Sequence, residues 1–491
     1  MPQKISNKKI TKNLIMSLAA QAISIITSFV LSFVVPTILD PDQYSYWQIY
    51  VLYIGYVGAL HFGLLDGIVL RYSQYDYDEL DKPRVRSQFQ LLLVFNAFLT
   101  LIGCIVAACL FNIVTKEIIA LVSVGILTKN IFTYTSYSFQ ITNRIPKYAI
   151  LVIAQRAAYA VFVVILLLCN VTDFYWYCIA DLFGDVFGIL LGAIFNRGMY
   201  FGKGISVMEC LREARANISA GIILMVATFS SNFIVSGAKM IIQWWDTSTF
   251  GNTRIFGQVS FSFTVSNVFL TFITAISVVL FPSLKRMNEE ELPDTYTKIR
   301  NAISPILFFA LILYFPGCWI LEMWLPDYYS DSLGYLGMLL PLVVFSAKVN
   351  LLTNNYLKAY RKEKLMLIIN VLAVAVGLSV SAIGAYVFNS LDFVLYALVA
   401  VIMLHSIVSE IAVMKLIKKN IIKDFIIEFI MTVVFILAVG FLKRWWACLA
   451  YAVALVIYAV IYRKSLFALF NTVMHLFKRG KTKTDSLSGD D

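Results

Sequence analysis

The stretch that decides the fold is Ile118–Tyr148, IIALVSVGILTKNIFTYTSYSFQITNRIPKY, a membrane-length apolar run with a lysine near its centre. In a helix, Lys129 lies about eleven residues from either end of the run, roughly 16 Å at 1.5 Å per residue, or half the hydrocarbon core. A second run, Leu336–Lys364, contains Lys348. An ionisable group at this depth usually faces a water-filled cavity or a partner, because exposure to lipid costs a few kcal/mol.

The composition is that of a polytopic membrane protein. Of the 491 residues, 60% are hydrophobic and 14% are charged, and the mean hydropathy is +0.79. Soluble domains carry about 25% charged residues. The seven cysteines form no CxxC pair, so neither a disulfide framework nor a zinc site is predicted. No P-loop, HExxH or GxSxG motif is present, so we predict no enzymatic activity, metal or cofactor.

Hydropathy predicts fourteen transmembrane helices. The short connections between alternate spans leave no room for a domain outside the membrane. The predicted spans are 13–39, 45–71, 89–114, 118–141, 148–169, 174–196, 218–244, 255–284, 302–325, 333–357, 365–388, 391–416, 425–442 and 445–462.

The positive charges are distributed by side of the membrane. Thirty-two of the 40 Lys and Arg residues lie in the termini and in alternate connections, and four lie in the opposite set. The positive-inside rule therefore predicts that both termini are cytoplasmic. The net charge of +11 needs no nucleic-acid partner as its explanation.

A weak internal repeat predicts the domain organisation. A shift of 219 residues takes Lys129 to Lys348 and Tyr137 to Tyr356. Because six spans separate the two lysines, equivalent helices run in the same direction, as in parallel repeats. We expect two six-helix lobes over 1–215 and 216–417, an appended helix pair over 418–462 and a cytoplasmic tail over 463–491.

Charged residues inside the spans are the candidate site. We expect Lys129 and Lys348 to line a cationic lumen and contact the substrate, with a structural interhelical ion pair as the alternative. Arg156 suits a phosphate but also has the alternative of neutralising nearby carboxylates. Lys239 lies near the outer end of its span, where snorkelling is the simpler interpretation. Asp181 and Asp185 share a helix face and are candidates for ion coupling or for pairing with Lys129 or Arg156.

Polar side chains recur every three or four residues in several spans, which places them on one face of each helix. They are predicted to line the lumen, with ordinary packing between membrane helices as the alternative. The candidates are Gln21, Ser24, Thr133, Gln140, Asn232, Thr264 and Asn267.

Four stretches carry a resemblance to a known family. They are LDPDQYSYWQIY at Leu39–Tyr50, GLLDGIVLRYSQY at Gly63–Tyr75, WLPDYYSDSLGYLGMLLPLVVF at Trp324–Phe345 and YLKAYRKEKLM at Tyr356–Met366. With the fourteen spans, they resemble the Wzx-type polysaccharide-unit flippases of the multidrug/oligosaccharidyl-lipid/polysaccharide (MOP) exporter superfamily. The motifs are diffuse and are diagnostic only together.

The resemblance implies an all-α fold with two bundles in a V and alternating access. It also implies a secondary transporter that flips undecaprenyl-pyrophosphate-linked oligosaccharides across a bacterial inner membrane for capsule or O-antigen export. Its lumenal basic positions would fall on Lys129 and Lys348, with Arg156 and Lys239 less securely placed. The implied partners are the lipid-linked substrate, membrane lipid and a polysaccharide polymerase or assembly proteins.

Three alternatives stay open. A lipid II flippase of the same superfamily would use a similar basic cavity. A multidrug exporter would favour carboxylates for organic cations, which Asp181 and Asp185 supply. A membrane-embedded polymerase or ligase is a different class, and the short outer loops argue against it.

Overall fold

All regular elements in the described part of the chain are helices. The computed structural model describes residues 22–73, 75–268, 270, 290–419 and 422–463. Eleven described helices are long and apolar enough to cross a membrane, and Pro41–His61 with Leu64–Tyr72 forms a twelfth span that is bent by 55°. The remaining predicted spans, 13–39 and 255–284, lie only partly in the described ranges. The expected polytopic all-α fold is confirmed.

The helices follow the predicted order, and we number them along the chain. They are α1 Ala22–Thr37, α2 Pro41–Ile54, α3 Leu64–Tyr72, α4 Lys82–Ala108, α5 Ile113–Ile141, α6 Ile145–Leu168, α7 Phe174–Phe195, α8 Val207–Phe250, α9 over 254–268, α10 Leu292–Trp324, α11 Asp327–Ala359, α12 Glu363–Val387, α13 Leu391–Ile417, α14 Ile422–Phe441 and α15 Arg444–Ile461.

The packing divides the chain into two compact units. The first comprises Met1–Ala275 and Lys362–Val401, and the second comprises Ile276–Arg361 and Ile402–Asp491. The predicted lobes 1–215 and 216–417 follow the sequence repeat rather than the packing. These lobes, and their V-shaped arrangement, stay predictions.

In the first unit, α5 is the central helix. It packs against α2, α4, α6 and α7, while α8 packs against α3 and α12. Side chains cap the N-termini of α5 and α7. Asn112 Oδ1 accepts a hydrogen bond from the Thr115 N–H at 3.0 Å, and Asp173 Oδ1 accepts one from the Tyr175 N–H at 3.0 Å. Such caps satisfy amide groups that have no partner within the helix.

The bend between α2 and α3 depends on glycine. Gly63 has φ +80°, a left-handed conformation that costs glycine little. Beyond the bend, α3 packs directly on α8, because a Cβ on Gly67 would lie 1.8 Å from the Asn217 carbonyl oxygen. A side chain at this position would force the two helices apart.

In the second unit, α11 occupies the centre. In its most apolar stretch 83% of the residues are buried, compared with 56% in α5, and the helix packs against α10 and α14. A widened π turn over Val349–Thr353 follows Lys348, a feature that often occurs at functional sites. The predicted appended pair, α14 and α15, is part of the packing of this unit.

Candidate functional site: two buried ion clusters

The first cluster joins α5 to α7. Lys129 Nζ lies 2.8 Å from Asp181 Oδ2 and 2.9 Å from Asp185 Oδ2. The two carboxylates share one face of α7 because they are four residues apart. The structure therefore places Lys129 between the two predicted coupling residues, in the pairing that sequence analysis held open as an alternative to a substrate contact.

Neutral side chains from two further helices complete this cluster. The Tyr50 hydroxyl donates to Asp181 at 3.0 Å, and the Gln155 amide donates to Asp185 Oδ1 at 3.1 Å. The side chain of Asp185 is 1% exposed, whereas those of Asp181 and Lys129 are 14% and 24% exposed. The cluster is closed behind Asp185 and open beside Lys129.

The charges of the first cluster do not cancel internally, since one ammonium faces two carboxylates. Arg156, half-buried on α6, is near enough to Asp185 for a Coulombic interaction. No carboxylate of the described residues lies within ion-pair distance of its guanidinium. Arg156 therefore balances the cluster at a distance and keeps its donors available.

The second cluster lies in the second unit and is larger. Arg300 on α10 contacts Glu410 on α13 at 2.7 Å and contacts two carboxylates of α14, Asp424 at 3.0 Å and Glu428 at 2.9 Å. Lys348 on α11 contacts Glu428 at 2.5 Å and also contacts Glu410. Four helices thus contribute five charged groups: two cations from α10 and α11, and three carboxylates from α13 and α14.

This second cluster is closed. The side chains of Arg300 and Lys348 are each 1% exposed, Glu410 is 0% and Glu428 is 2% exposed, and only Asp424 reaches 23%. The expectation that Lys348 lines an open lumen is not met in this conformation, because both its partners and its burial are those of a structural ion pair. A substrate contact at Lys348 stays a prediction that requires the cluster to open.

Sequence analysis missed Arg300 and its partners on α14. It counted Arg300 as a loop residue because the apolar run begins at Ala302, but α10 begins ten residues earlier, at Leu292. A usable signal was present in Asp424 and Glu428, which have the same spacing of four as Asp181 and Asp185.

Lys239 has a different environment from the other candidate cations. It is 9% exposed, and its ammonium lies 5.9 Å from the ring centre of Phe256 and 5.5 Å from that of Phe263, both on α9. Among the described residues, no carboxylate lies within 4 Å of it. Aromatic faces attract a cation without supplying a counter-charge, so the ammonium of Lys239 has aromatic neighbours but no carboxylate partner among the described residues.

The predicted polar lining residues differ in hydrogen bonding and in exposure, and their role in lining a lumen stays a prediction. The hydroxyls of Thr133 and Thr264 donate to carbonyl groups four residues earlier in their own helices, at 2.7 and 2.8 Å. The remaining candidates differ in exposure: Gln140, Asn232 and Asn267 are exposed, Ser24 is half-buried, and Gln21 lies outside the described residues.

Comparison with known proteins finds no matching family model and no matching curated protein for this sequence. Among solved structures, the lipid II flippase MurJ in an inward closed conformation is 11% identical with a TM-score of 0.66, covering 93% of this chain and 100% of its own. An inward-facing multidrug resistance MATE transporter of the MOP superfamily is 13% identical with a TM-score of 0.61, covering 82% of this chain and 98% of its own.

A MOP superfamily transporter from Pyrococcus furiosus, described as having a binding pocket of reversed polarity, is 12% identical with a TM-score of 0.51. The alignment covers 84% of this chain and 97% of that one. These similarities extend over most of each chain but at identities that establish the fold alone. The chain is a multi-pass membrane protein with the all-α fold of MOP superfamily transporters.

Proposed function

We propose that this protein is a secondary transporter that flips undecaprenyl-pyrophosphate-linked oligosaccharides from the inner to the outer leaflet for capsule or O-antigen-type export. The single observation that carries the proposal is the partly exposed Lys129 ammonium in the middle of a membrane helix. A fold shared with a lipid II flippase supports it, since that protein also moves a lipid across the membrane.

The proposed role of Lys129 is to exchange partners. A pyrophosphate carries about two negative charges and cannot cross hydrocarbon unaided. At an effective dielectric constant near 20, one ammonium 4 Å from one phosphate charge contributes about 4 kcal/mol of Coulomb energy before desolvation. When the phosphate binds, Lys129 leaves Asp181 or Asp185, and the phosphate takes the place of that carboxylate.

This exchange provides a coupling mechanism. A carboxylate that loses its ammonium inside the membrane must be neutralised, because an unpaired buried charge costs several kcal/mol. Asp185, which is almost fully buried, then takes up a proton or a monovalent cation. Substrate binding and ion uptake are thereby linked through one lysine.

The remaining candidate cations act at other depths in this proposal. Arg156 offers a guanidinium fork that suits a phosphate and is not occupied by an ion pair. Lys239, held by aromatic rings, offers a second uncompensated charge toward the predicted outer side. In the closed second cluster Lys348 contributes to the stability of its unit, and it can contact substrate only if that cluster opens.

The test is leaflet-resolved labelling of lipid-linked oligosaccharide in cells depleted of the protein and complemented with variants. Lys129→Gln is expected to leave the oligosaccharide on the cytoplasmic face, and the wild type is expected to restore it to the outer face. Lys116→Gln is the matched control, because Lys116 is exposed on the same helix. Full export by Lys129→Gln at normal membrane abundance would reject the role of Lys129.

A second candidate function is export of organic cations, as in multidrug exporters. The observation that favours it is the excess of carboxylate in the first cluster, where Asp181 is 14% exposed. In that case Asp181→Asn abolishes cation efflux, and depletion leaves the sidedness of lipid-linked oligosaccharide unchanged. Measuring both sidedness and efflux in the same strains separates the two functions.

A further inference from the structure

A cavity at the predicted outer end of the first unit lies apart from both ion clusters. Its volume is about 580 Å³, and it is bounded by α2, the start of α5 and the end of α8 with the turn that follows. Cavities of about 300 to 1,000 Å³ are typical of small-ligand sites. Neither the ion clusters nor the predicted polar lining residues contribute to it.

Among the described residues, no charged side chain lines the cavity. It combines aromatic rings with amide and hydroxyl groups on an aliphatic floor. The aromatic members are Tyr46, Tyr53 and Trp244, and the amide members are Asn112, Gln243 and Asn252. In a chain with a net charge of +11, a wall without charge is a distinctive environment that favours an uncharged, polar ligand.

One side of the cavity is a continuous hydrogen-bond chain. The Trp244 indole donates to the Tyr53 hydroxyl at 2.9 Å, this hydroxyl donates to Gln243 Oε1 at 3.0 Å, and the Gln243 amide donates to the Thr247 hydroxyl at 3.2 Å. The chain holds the Trp244 and Tyr53 rings in place across two helices. Trp244 nevertheless remains 48% exposed, so much of its surface is free for contact.

This combination matches the chemistry of a sugar ring. One face of a pyranose carries C–H groups, which pack against the electron-rich face of an aromatic ring. Its edge carries hydroxyls, which both donate to and accept from amide and hydroxyl groups. A membrane-interface belt would also place aromatic residues at this depth, but a belt faces lipid and needs no ordered amides.

We propose that this cavity binds an uncharged sugar residue, with Trp244 as the stacking platform and Gln243 as a hydrogen-bonding group. The ligand class follows from the lining residues alone. The bound sugar could belong to the glycan of a transported lipid, and this assignment rests on the proposed function. The alternative is that the cavity binds a free sugar.

The binding experiment uses the full-length protein in lipid nanodiscs and saturation-transfer difference NMR. The probes are methyl glycosides of glucose, galactose, mannose, rhamnose and N-acetylglucosamine, with methyl glucuronide as the charged comparison. We expect at least one neutral glycoside to receive saturation, and we expect Trp244→Ala to lower that signal at least tenfold. Tyr53→Phe, which removes the hydroxyl between Trp244 and Gln243, should lower it several-fold.

The matched control is Trp176→Ala, because Trp176 is similarly exposed, at 44%, in the first turn of α7 but does not line the cavity. This variant should bind as the wild type does. The proposal is overturned if no neutral glycoside binds, if methyl glucuronide binds equally well, or if Trp244→Ala and Trp176→Ala behave alike.

Export of lipid-linked oligosaccharide by Trp244→Ala identifies the source of the sugar. If Trp244→Ala exports slowly while the wild type shows Lys129-dependent flipping, the bound sugar belongs to the transported glycan. If Trp244→Ala exports normally but has lost glycoside binding, the cavity binds free sugar. If the wild type itself shows no flipping in any assay, the proposed function is rejected and the binding result remains valid.

Discussion

Lys129 and Lys348 occupy matching positions in the sequence repeat but have different surroundings. Lys129 lies between two aspartates of one neighbouring helix, with its side chain 24% exposed. Lys348 lies between two glutamates of two different helices, is 1% exposed, and shares both with Arg300. The comparison shows that matching repeat positions do not give two lysines the same accessibility. In this protein the lysine with partners on two helices is the buried one.

The two clusters also differ in the origin of their carboxylates. Both contain an acidic pair spaced by four residues, on α7 in the first unit and on α14 in the second. Applying the 219-residue shift to Asp181 and Asp185 gives Ala400 and Leu404, so the repeat does not predict the second pair. The acidic pair of the second unit therefore comes from α14, whereas that of the first unit comes from α7.

The largest expected effect is on Arg300→Gln. Removing this guanidinium leaves Glu410 and Glu428 with Lys348 alone, and breaking a buried ion network costs about 3–5 kcal/mol. We expect low membrane abundance and a thermal unfolding midpoint in nanodiscs that falls by about 6–10 °C, at roughly 2 °C per kcal/mol. An unfolding midpoint equal to the wild type would show that the second cluster does not hold its unit together.

A somewhat smaller loss is expected for Lys348→Met, about 3 kcal/mol, because Arg300 still contacts both glutamates. The double variant Lys348→Met/Glu428→Gln removes one charge of each sign and should recover at least half of the lost stability. Unfolding midpoints of the two single variants and the double variant complete the cycle. Additive losses would mean that Lys348 and Glu428 are not coupled.

Lys129→Gln should separate stability from transport. The first cluster is partly open, and Asp185 keeps its hydrogen bond from Gln155 and can be neutralised by a proton. We therefore expect a stability loss of about 1–2 kcal/mol, smaller than that of Lys348→Met, together with loss of export. A loss of stability as large as that of Lys348→Met would make the two clusters equivalent and Lys129 structural.

The smallest effect is expected for Arg254→Gln. Arg254 pairs with Asp42 at 2.7 Å, but the two side chains are 58% and 43% exposed. Exposed ion pairs contribute about 0–1 kcal/mol because water and salt screen them. The unfolding midpoint should change by no more than about 2 °C, which makes this variant the reference for the buried clusters.

Much of the fold was predictable because hydropathy is a local property. The described ranges match twelve of the predicted spans, and the depth of Lys129 followed from counting residues along one helix. The start of α10 was not predictable in this way, because the segment 292–300 is polar in sequence, and Arg300 is buried only because carboxylates of α13 and α14 meet it. The cavity at the outer end of the first unit left no signal either, since its walls come from segments far apart in the chain.

The amino-acid sequence by itself determined that this protein crosses the membrane many times and that ionisable groups lie within its spans, because the cost of placing a residue in hydrocarbon adds up along the chain. Only the tertiary structure decided which of those groups are paired. Lys129 and Lys348 have the same charge and similar depth, but an ion pair forms over about 3 Å, and that distance is set by which helices become neighbours.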